Sequence, residues 1–130
     1  FIAVHDAVRP LVSVAIIERC FVAATDFGAA IPVTDCVESV RVVQGSRSAA
    51  VDRNDYKLVQ TPQVFQADLL QNAYKQNYNP SFTDDASVVE AFMHSNNSEP
   101  FGIHLVVGSR ENIKITSPED LIIAHAFLKK

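Results

Sequence analysis

The chain has 130 residues, of which 48% are apolar and 20% charged, and a formal net charge of -4. Those values fit one globular domain with a real core; the acidic balance argues against a non-specific nucleic-acid binder, which is basic as a rule. No apolar run reaches the roughly 18 residues of a membrane span, and Cys20 and Cys36 alone make neither a disulfide framework nor a zinc site, so a reducing, cytoplasmic setting is the expectation.

Residues 1–5 combine small and β-branched apolar side chains and read as a short buried strand. Ser13 is placed to cap a helix over about 14–27, with Val14, Ile17, Phe21 and Ala24 on one face and Gly28 as its stop. Residues 29–33 read as the next strand, and strand, helix, strand at this spacing predicts a βαβ unit with parallel strands. The rhythm then changes. Residues 37–43 and 49–51 look extended around a Gln44-Gly45-Ser46 turn, and both arms mix charged and apolar residues. Such a hairpin, at about 37–53, has little core of its own and should lean on something, such as a second subunit.

Residues 56–60 are a further candidate strand, followed by the Thr61-Pro62-Gln63 turn. Leu69, Leu70, Ala73 and Tyr74 give a helical face over about 66–77, and residues 77–82 a loop. Thr83 is read as the cap of a helix to about Met93, with Asp84 and Asp85 complementing its dipole. A polar loop at 96–100 leads to an alternating strand of Ile103, Leu105 and Val107, which puts His104 on the solvent face. The four histidines show no metal spacing, and four scattered glycines make no phosphate loop. The run from Asn112 to Thr116 alternates like a strand, with Asn112, Lys114 and Thr116 on one face. Ser117-Pro118-Glu119-Asp120 then starts a last helix to about Leu128, joining a cap, a proline at the first position and an acid three residues on.

Chemistry concentrates where strands end. In open α/β sheets, ligands bind outside the carboxyl ends of strands. Asp6 stands there, suited to a divalent cation or a hydroxyl, and Arg9 has the planar fork that meets phosphates; the competing reading is an Asp–Arg pair that stiffens a turn. Lys114 beside a helix start would suit a phosphate, or it snorkels at the surface. Asp52-Arg53-Asn54 on its own reads as solvated surface.

The order of these motifs is more specific than any one of them. His5-Asp6-Ala7-Val8-Arg9-Pro10, Pro32-Val33-Thr34-Asp35, Val51-Asp52-Arg53-Asn54, Gln60-Thr61-Pro62-Gln63-Val64-Phe65, Thr83-Asp84-Asp85-Ala86-Ser87, and Asn112-Ile113-Lys114-Ile115-Thr116 with Pro118-Glu119-Asp120-Leu121 follow one another. The series resembles the 2-C-methyl-D-erythritol 4-phosphate cytidylyltransferases of the non-mevalonate isoprenoid pathway over nearly the whole chain. The resemblance implies a Rossmann-like α/β nucleotidyltransferase fold with a β-hairpin arm that embraces the second subunit of a homodimer. It implies transfer of a cytidylyl group from CTP to methylerythritol phosphate, with release of pyrophosphate and with Mg²⁺. It places Asp6 at the active centre on the metal, with Ala7 beside it on the cofactor side. Arg9 and Thr61 are implied as substrate-binding, as is Arg53 toward the partner's site, and Lys114 as the catalytic cation on the α-phosphate.

Two departures stand out. Many members carry a threonine where this chain has Cys36, and a thiol is the poorer hydrogen-bond donor, so Cys36 is a weaker substrate contact. The family also begins with a strand and a Gly-rich loop, carrying an arginine and a lysine, that cradles the CTP triphosphate. Neither is found in this sequence. The resemblance therefore implies that residues 1–130 are the C-terminal portion of one such domain, inactive alone. The alternatives are a ribitol-5-phosphate cytidylyltransferase, disfavoured by the Val51–Asn54 and Thr83–Ser87 motifs, and a non-catalytic module that binds phosphorylated ligands or a partner chain.

Overall fold

The structure, a computed structural model, describes residues 1–96 and 102–129. Most of the expected 96–100 loop lies outside the described residues. Seven strands and four α-helices alternate irregularly along the described residues: β1 (Ile2–Val4), α1 (Val14–Phe27), β2 (Ala29–Asp35), β3 (Arg41–Gln44), β4 (Arg47–Ala50), β5 (Lys57–Val59), β6 (Gln63–Phe65), α2 (Ala67–Ala73), α3 (Asp85–Ser95), β7 (His104–Val107) and α4 (Pro118–Leu128).

The first helix forms as its ends dictate. Ser13 Oγ accepts from Ile16 N, and Gly28 closes α1 at φ 84°, a conformation that costs glycine little. The strand–helix–strand expectation needs one correction. β1 and β2 run parallel, but they are not neighbours: β6 lies between them, antiparallel to both. β7 pairs parallel with the other edge of β2, from Ala30–His104 to Val33–Val107. The sheet is therefore mixed, with β1, β2 and β7 pointing the same way.

β5 and β6 lie end to end along one edge of β2. Val33 faces Val59 and Ala30 faces Val64, so this side takes five steps where β2 takes three. The excess is Thr61 and Pro62, joined by a cis peptide, and the bulge carries Thr61 toward the end of β1. The strand at 63–65, of which only Gln63 is placed from sequence, in the turn, owes its existence to partners on both sides.

Alternation along the sheet sets two cores. Ala29, Ile31 and Phe65 face α2 and α3, where Leu70, Ala73, Val88, Val89 and Met93 are buried. Ala30 and Val64 face α1, against Ile16, Cys20, Ala23 and Ala24. Helices thus cover both faces of the sheet. β1 is half-buried rather than buried, with Ala3 exposed.

Other expectations shift in detail. The cap of α3 is Asp84, not Thr83: Asp84 Oδ1 accepts from Ser87 N at 2.8 Å, and Ser87 Oγ accepts from Asp84 N. Asp85 lies in the first turn as the dipole favours. α2 is shorter than expected. His104 is half-buried rather than on the solvent face: its ring stacks on Phe27 at 3.9 Å between centroids, while Leu105 and Val107 are exposed. Residues 112–116 form no strand. Their alternation has no ladder to join, apart from Ile115 N donating to Val8 O. α4 starts as read, with Asp120 Oδ2 accepting from Ser117 N and Thr116 N; of its residues only Ala124 is buried. No described helix is long and apolar enough to cross a membrane.

The hairpin is present but shorter. Its strands start at Arg41, not 37, and Gln44 pairs with Arg47 across a two-residue turn in which Gly45 takes φ 59°. It forms a sheet of its own, and every strand residue is exposed.

Candidate active site at the carboxyl ends of the strands

β1, β2 and β7 present their carboxyl ends on one side of the sheet, and the residues just past them make the site. Past β1, the chain turns sharply: Arg9 N donates to Asp6 O at 3.0 Å, with Ala7 and Val8 at the corner. The Asp6 carboxylate accepts from Arg9 Nε at 3.1 Å through Oδ2, and Lys114 Nζ lies 3.4 Å from the same oxygen. Asp6 N donates to Thr61 Oγ1 at 3.0 Å. Four of the expected residues, Asp6, Arg9, Thr61 and Lys114, therefore meet, although up to 108 residues of sequence separate them.

Arg9 is 9% exposed, and its donors point inward. Besides Asp6, Nη1 donates to Asn112 O at 2.7 Å and Nη2 to Val59 O at 3.5 Å. The turn-stiffening role is thus present in full. Arg9 also lines a cleft of about 770 Å³, with Thr34, Gln60, Ser109, Arg110 and Lys114 among its walls.

The electrostatics are definite. Burial works to raise the Asp6 pKa, but the hydrogen bond from Arg9, and the charge and hydrogen bond of Lys114, outweigh it and hold the carboxyl below its ordinary 3.8. Asp6 is ionised at neutral pH. Two cations against one carboxylate leave the cluster with surplus positive charge, as a phosphate site requires. Lys114 is half exposed, and its ammonium pairs with that carboxylate, so it can turn to a ligand without unpacking anything.

Two residues not singled out from sequence hold this cluster together. Asn112, expected to share a strand face with Lys114 and Thr116, is 0% exposed while Lys114 and Thr116 are exposed. Its Nδ2 donates to Thr61 O at 2.9 Å, and its carbonyl accepts from Arg9. Gln60, 6% exposed, donates Nε2 to Ser109 O at 2.8 Å and to Asn112 O at 3.2 Å, and its Oε1 accepts from Ser109 N at 3.2 Å. Gly108 lies so close that a Cβ there would run into Gln60 Oε1 and reach 3.0 Å from Val33 O. The signal for these residues lay in their place inside the quoted motifs, not in any periodicity.

The remaining expected residues lie apart. Cys36 follows β2 and is half-buried, with a free thiol. Arg53 sits in a 3₁₀ turn, Arg53–Asp55, which Asp52 caps by accepting from Asn54 N. Its guanidinium donates to Val37 O across the base of the hairpin. Ala7 is exposed at the turn corner. No cluster of three or more potential metal ligands occurs among the described residues. Asp6 is the carboxylate at the centre, and both of its ion pairs fall on Oδ2. A hard cation such as Mg²⁺ is often held by one or two carboxylates together with substrate phosphates and water, and Asp6 Oδ1 fits that donor pattern.

Comparison with known proteins bears on the whole chain. The family model for 2-C-methyl-D-erythritol 4-phosphate cytidylyltransferase matches residues 1–130. The chain is similar to proteins of that name from Bacteroides fragilis, 56% identical over 127 residues, and Porphyromonas gingivalis, 45% identical over 129 residues. In each case 98% of this chain is covered, and 55% and 54% of the relative. Among solved structures, the enzyme of that name from Thermus thermophilus superposes with a TM-score of 0.80 at 34% identity, over 98% of this chain and 61% of its own. A 4-diphosphocytidyl-2C-methyl-D-erythritol synthase from Anaerococcus prevotii gives 0.84 at 28%, over 98% and 56%. The chain spans about half the length of the curated relatives it matches.

Proposed function

The chain belongs to the 2-C-methyl-D-erythritol 4-phosphate cytidylyltransferase family, with its Rossmann-like nucleotidyltransferase fold, and we propose that the whole protein transfers a cytidylyl group from CTP to 2-C-methyl-D-erythritol 4-phosphate. The observation that carries this reading is the meeting of Asp6, Arg9, Thr61 and Lys114 at the carboxyl ends of the strands.

In the reaction, a phosphate oxygen of the polyol phosphate attacks the α-phosphorus of CTP. The bond from that phosphorus to the bridging oxygen breaks, and pyrophosphate leaves. Such displacements leave little covalent work to the protein, so positioning and charge stabilisation carry the rate. Lys114 turns from Asp6 to the α-phosphate and neutralises charge as it builds. Arg9 keeps the β1 turn rigid and adds positive potential to the cleft. Thr61, whose oxygen keeps a lone pair beside the Asp6 amide, accepts from a hydroxyl of the polyol phosphate. Asp6, with Ala7 beside it, would hold Mg²⁺, which supplies neutralising charge to the phosphates when bound. Cys36 and Arg53 are the substrate-side residues nearer the hairpin.

The hairpin's exposure is what a homodimer arm requires: an isolated two-stranded ribbon is marginal in water and gains by packing against a second subunit. The working place of the protein in this reading is the bacterial cytoplasm, in isoprenoid biosynthesis.

The test is direct. The whole protein is incubated with CTP, Mg²⁺ and either methylerythritol phosphate or ribitol 5-phosphate, and pyrophosphate release is followed. Release with methylerythritol phosphate supports the reading. Release with ribitol 5-phosphate alone, or with neither, overturns it in favour of the related enzyme or of a binding module.

A further inference from the structure

The β1 turn is tied down from a side that the substrate roles leave out. His5 Nε2 lies 3.1 Å from Arg9 O, and His5 Nδ1 lies 2.9 Å from Thr61 Oγ1. A carbonyl oxygen only accepts, so Nε2 carries a hydrogen. In the neutral imidazole Nδ1 then accepts, and the Thr61 hydroxyl donates to it. The hydroxyl oxygen in turn accepts from Asp6 N at 3.0 Å, and Arg9 N donates back to Asp6 O at 3.0 Å.

These four bonds close a ring through Asp6, Thr61, His5 and Arg9. The ring joins the β1 turn to the Thr61–Pro62 bulge, 55 residues further on. Two of its four links run through the His5 ring. Without them only the Asp6 amide holds the Thr61 oxygen, its hydrogen is free to turn about the Cβ–Oγ1 bond and point elsewhere, and the Arg9 carbonyl loses its contact with the ring at the end of the turn. His5 itself is exposed and belongs to neither buried core, so its two hydrogen bonds are what tie it to the site.

We propose that His5 is a positioning residue for this site, acting through Thr61: it sets the orientation of the Thr61 hydroxyl and holds the Asp6–Arg9 turn. The inference rests on the substrate-side reading of Asp6 and Thr61 given above.

A double-mutant cycle in the whole protein tests it, with His5→Phe, Thr61→Val and the pair, read as kcat/KM for methylerythritol phosphate. His5→Phe keeps the ring shape and removes both nitrogens. Residues that act through one contact are strongly non-additive. The expected result is a loss of about tenfold for His5→Phe alone and less than about twofold when Thr61 is already valine. His5→Asn, whose carboxamide can accept from Thr61, should recover part of the loss. Independent losses that multiply in the pair, or full activity in His5→Phe, overturn the proposal.

A second readout does not need turnover. Hydrogen exchange at the Asp6 amide, followed by NMR, should speed up several-fold in His5→Phe, as its acceptor loosens. Unchanged exchange there overturns the positioning role. A wild type that turns over no substrate overturns the cytidylyl-transfer reading instead, and the exchange measurement then decides the role of His5 by itself.

Discussion

The end of β1 and the hairpin arm use the same kinds of residue to opposite effect. Arg9 is nearly buried and spends its donors on Asp6, Asn112 and Val59. Arg41 lies exposed on the arm and bonds within it, to Ser48 Oγ at 3.1 Å and Ser48 O at 3.3 Å. Around Arg9, side chains from three separate segments close on one another. Around Arg41, two short strands close on themselves. Polar groups withdrawn from water hold fixed positions, because an unmade bond there costs its full desolvation. Groups left in water have no such constraint. The strand-end cluster is therefore pre-formed within this one chain, whereas the arm's strand residues stay in contact with water.

Paired substitutions sharpen that contrast. Gln60→Ala strips partners from Ser109 and from Asn112 and should lower stability by about 3 kcal/mol, seen as a fall in the urea midpoint at unchanged m-value. Gln44→Ala, the same change on the arm, should stay within about 0.5 kcal/mol. Equal effects would mean that the arm is as firmly held as the cluster.

The glycines give a smaller contrast. Gly108→Ala drives a methyl into Gln60 Oε1 and against Val33 O, at a cost of about 2 kcal/mol. Gly45→Ala has open space but a positive φ, so it strains the turn by about 1 kcal/mol. Its effect should appear in the hairpin's own amide shifts and hardly in global unfolding.

The aspartates give the smallest. The Asp6 pKa is depressed on folding, so its contribution to stability is fully present above its unfolded value and is lost as pH falls through the lower folded value. Asp6→Asn should be less stable than wild type at pH 7, and the gap should close below about pH 4. Asp35 is also depressed, by the hydrogen bond and charge of Lys57, but in full exposure. Asp35→Asn should show the same trend with a smaller gap. A gap that widens in acid would reverse the sign assigned to Asp6.

Much of this was legible in the residues. Ser13, Gly28, Ser117 and Pro118 marked helix ends correctly, because caps and stops act within a few residues. β6 was not legible. Gln63, Val64 and Phe65 form a strand because β1 and β2 flank them, and no local pattern announces partners so far along the chain. Asn112 to Thr116 failed in the opposite sense: the alternation was there, and the ladder was not. The site divided along the same line. Asp6, Arg9 and Lys114 drew notice as charged residues at the ends of expected elements, and Thr61 only through motif order. The buried roles of Gln60 and Asn112 came only from the fold, since a polar residue's sequence neighbours do not say whether water reaches it.

The most direct measurement is the turnover of Lys114→Ala in the whole protein, with CTP and methylerythritol phosphate, beside its substrate affinity. Lys114 is half exposed and props up no core, so the variant should unfold at nearly the wild-type midpoint. If the strand-end cluster stabilises charge on the transferring phosphate, kcat should fall by about 10² to 10³ while KM changes only a few-fold. A variant with wild-type kcat, or one whose whole loss lies in KM, would contradict the account.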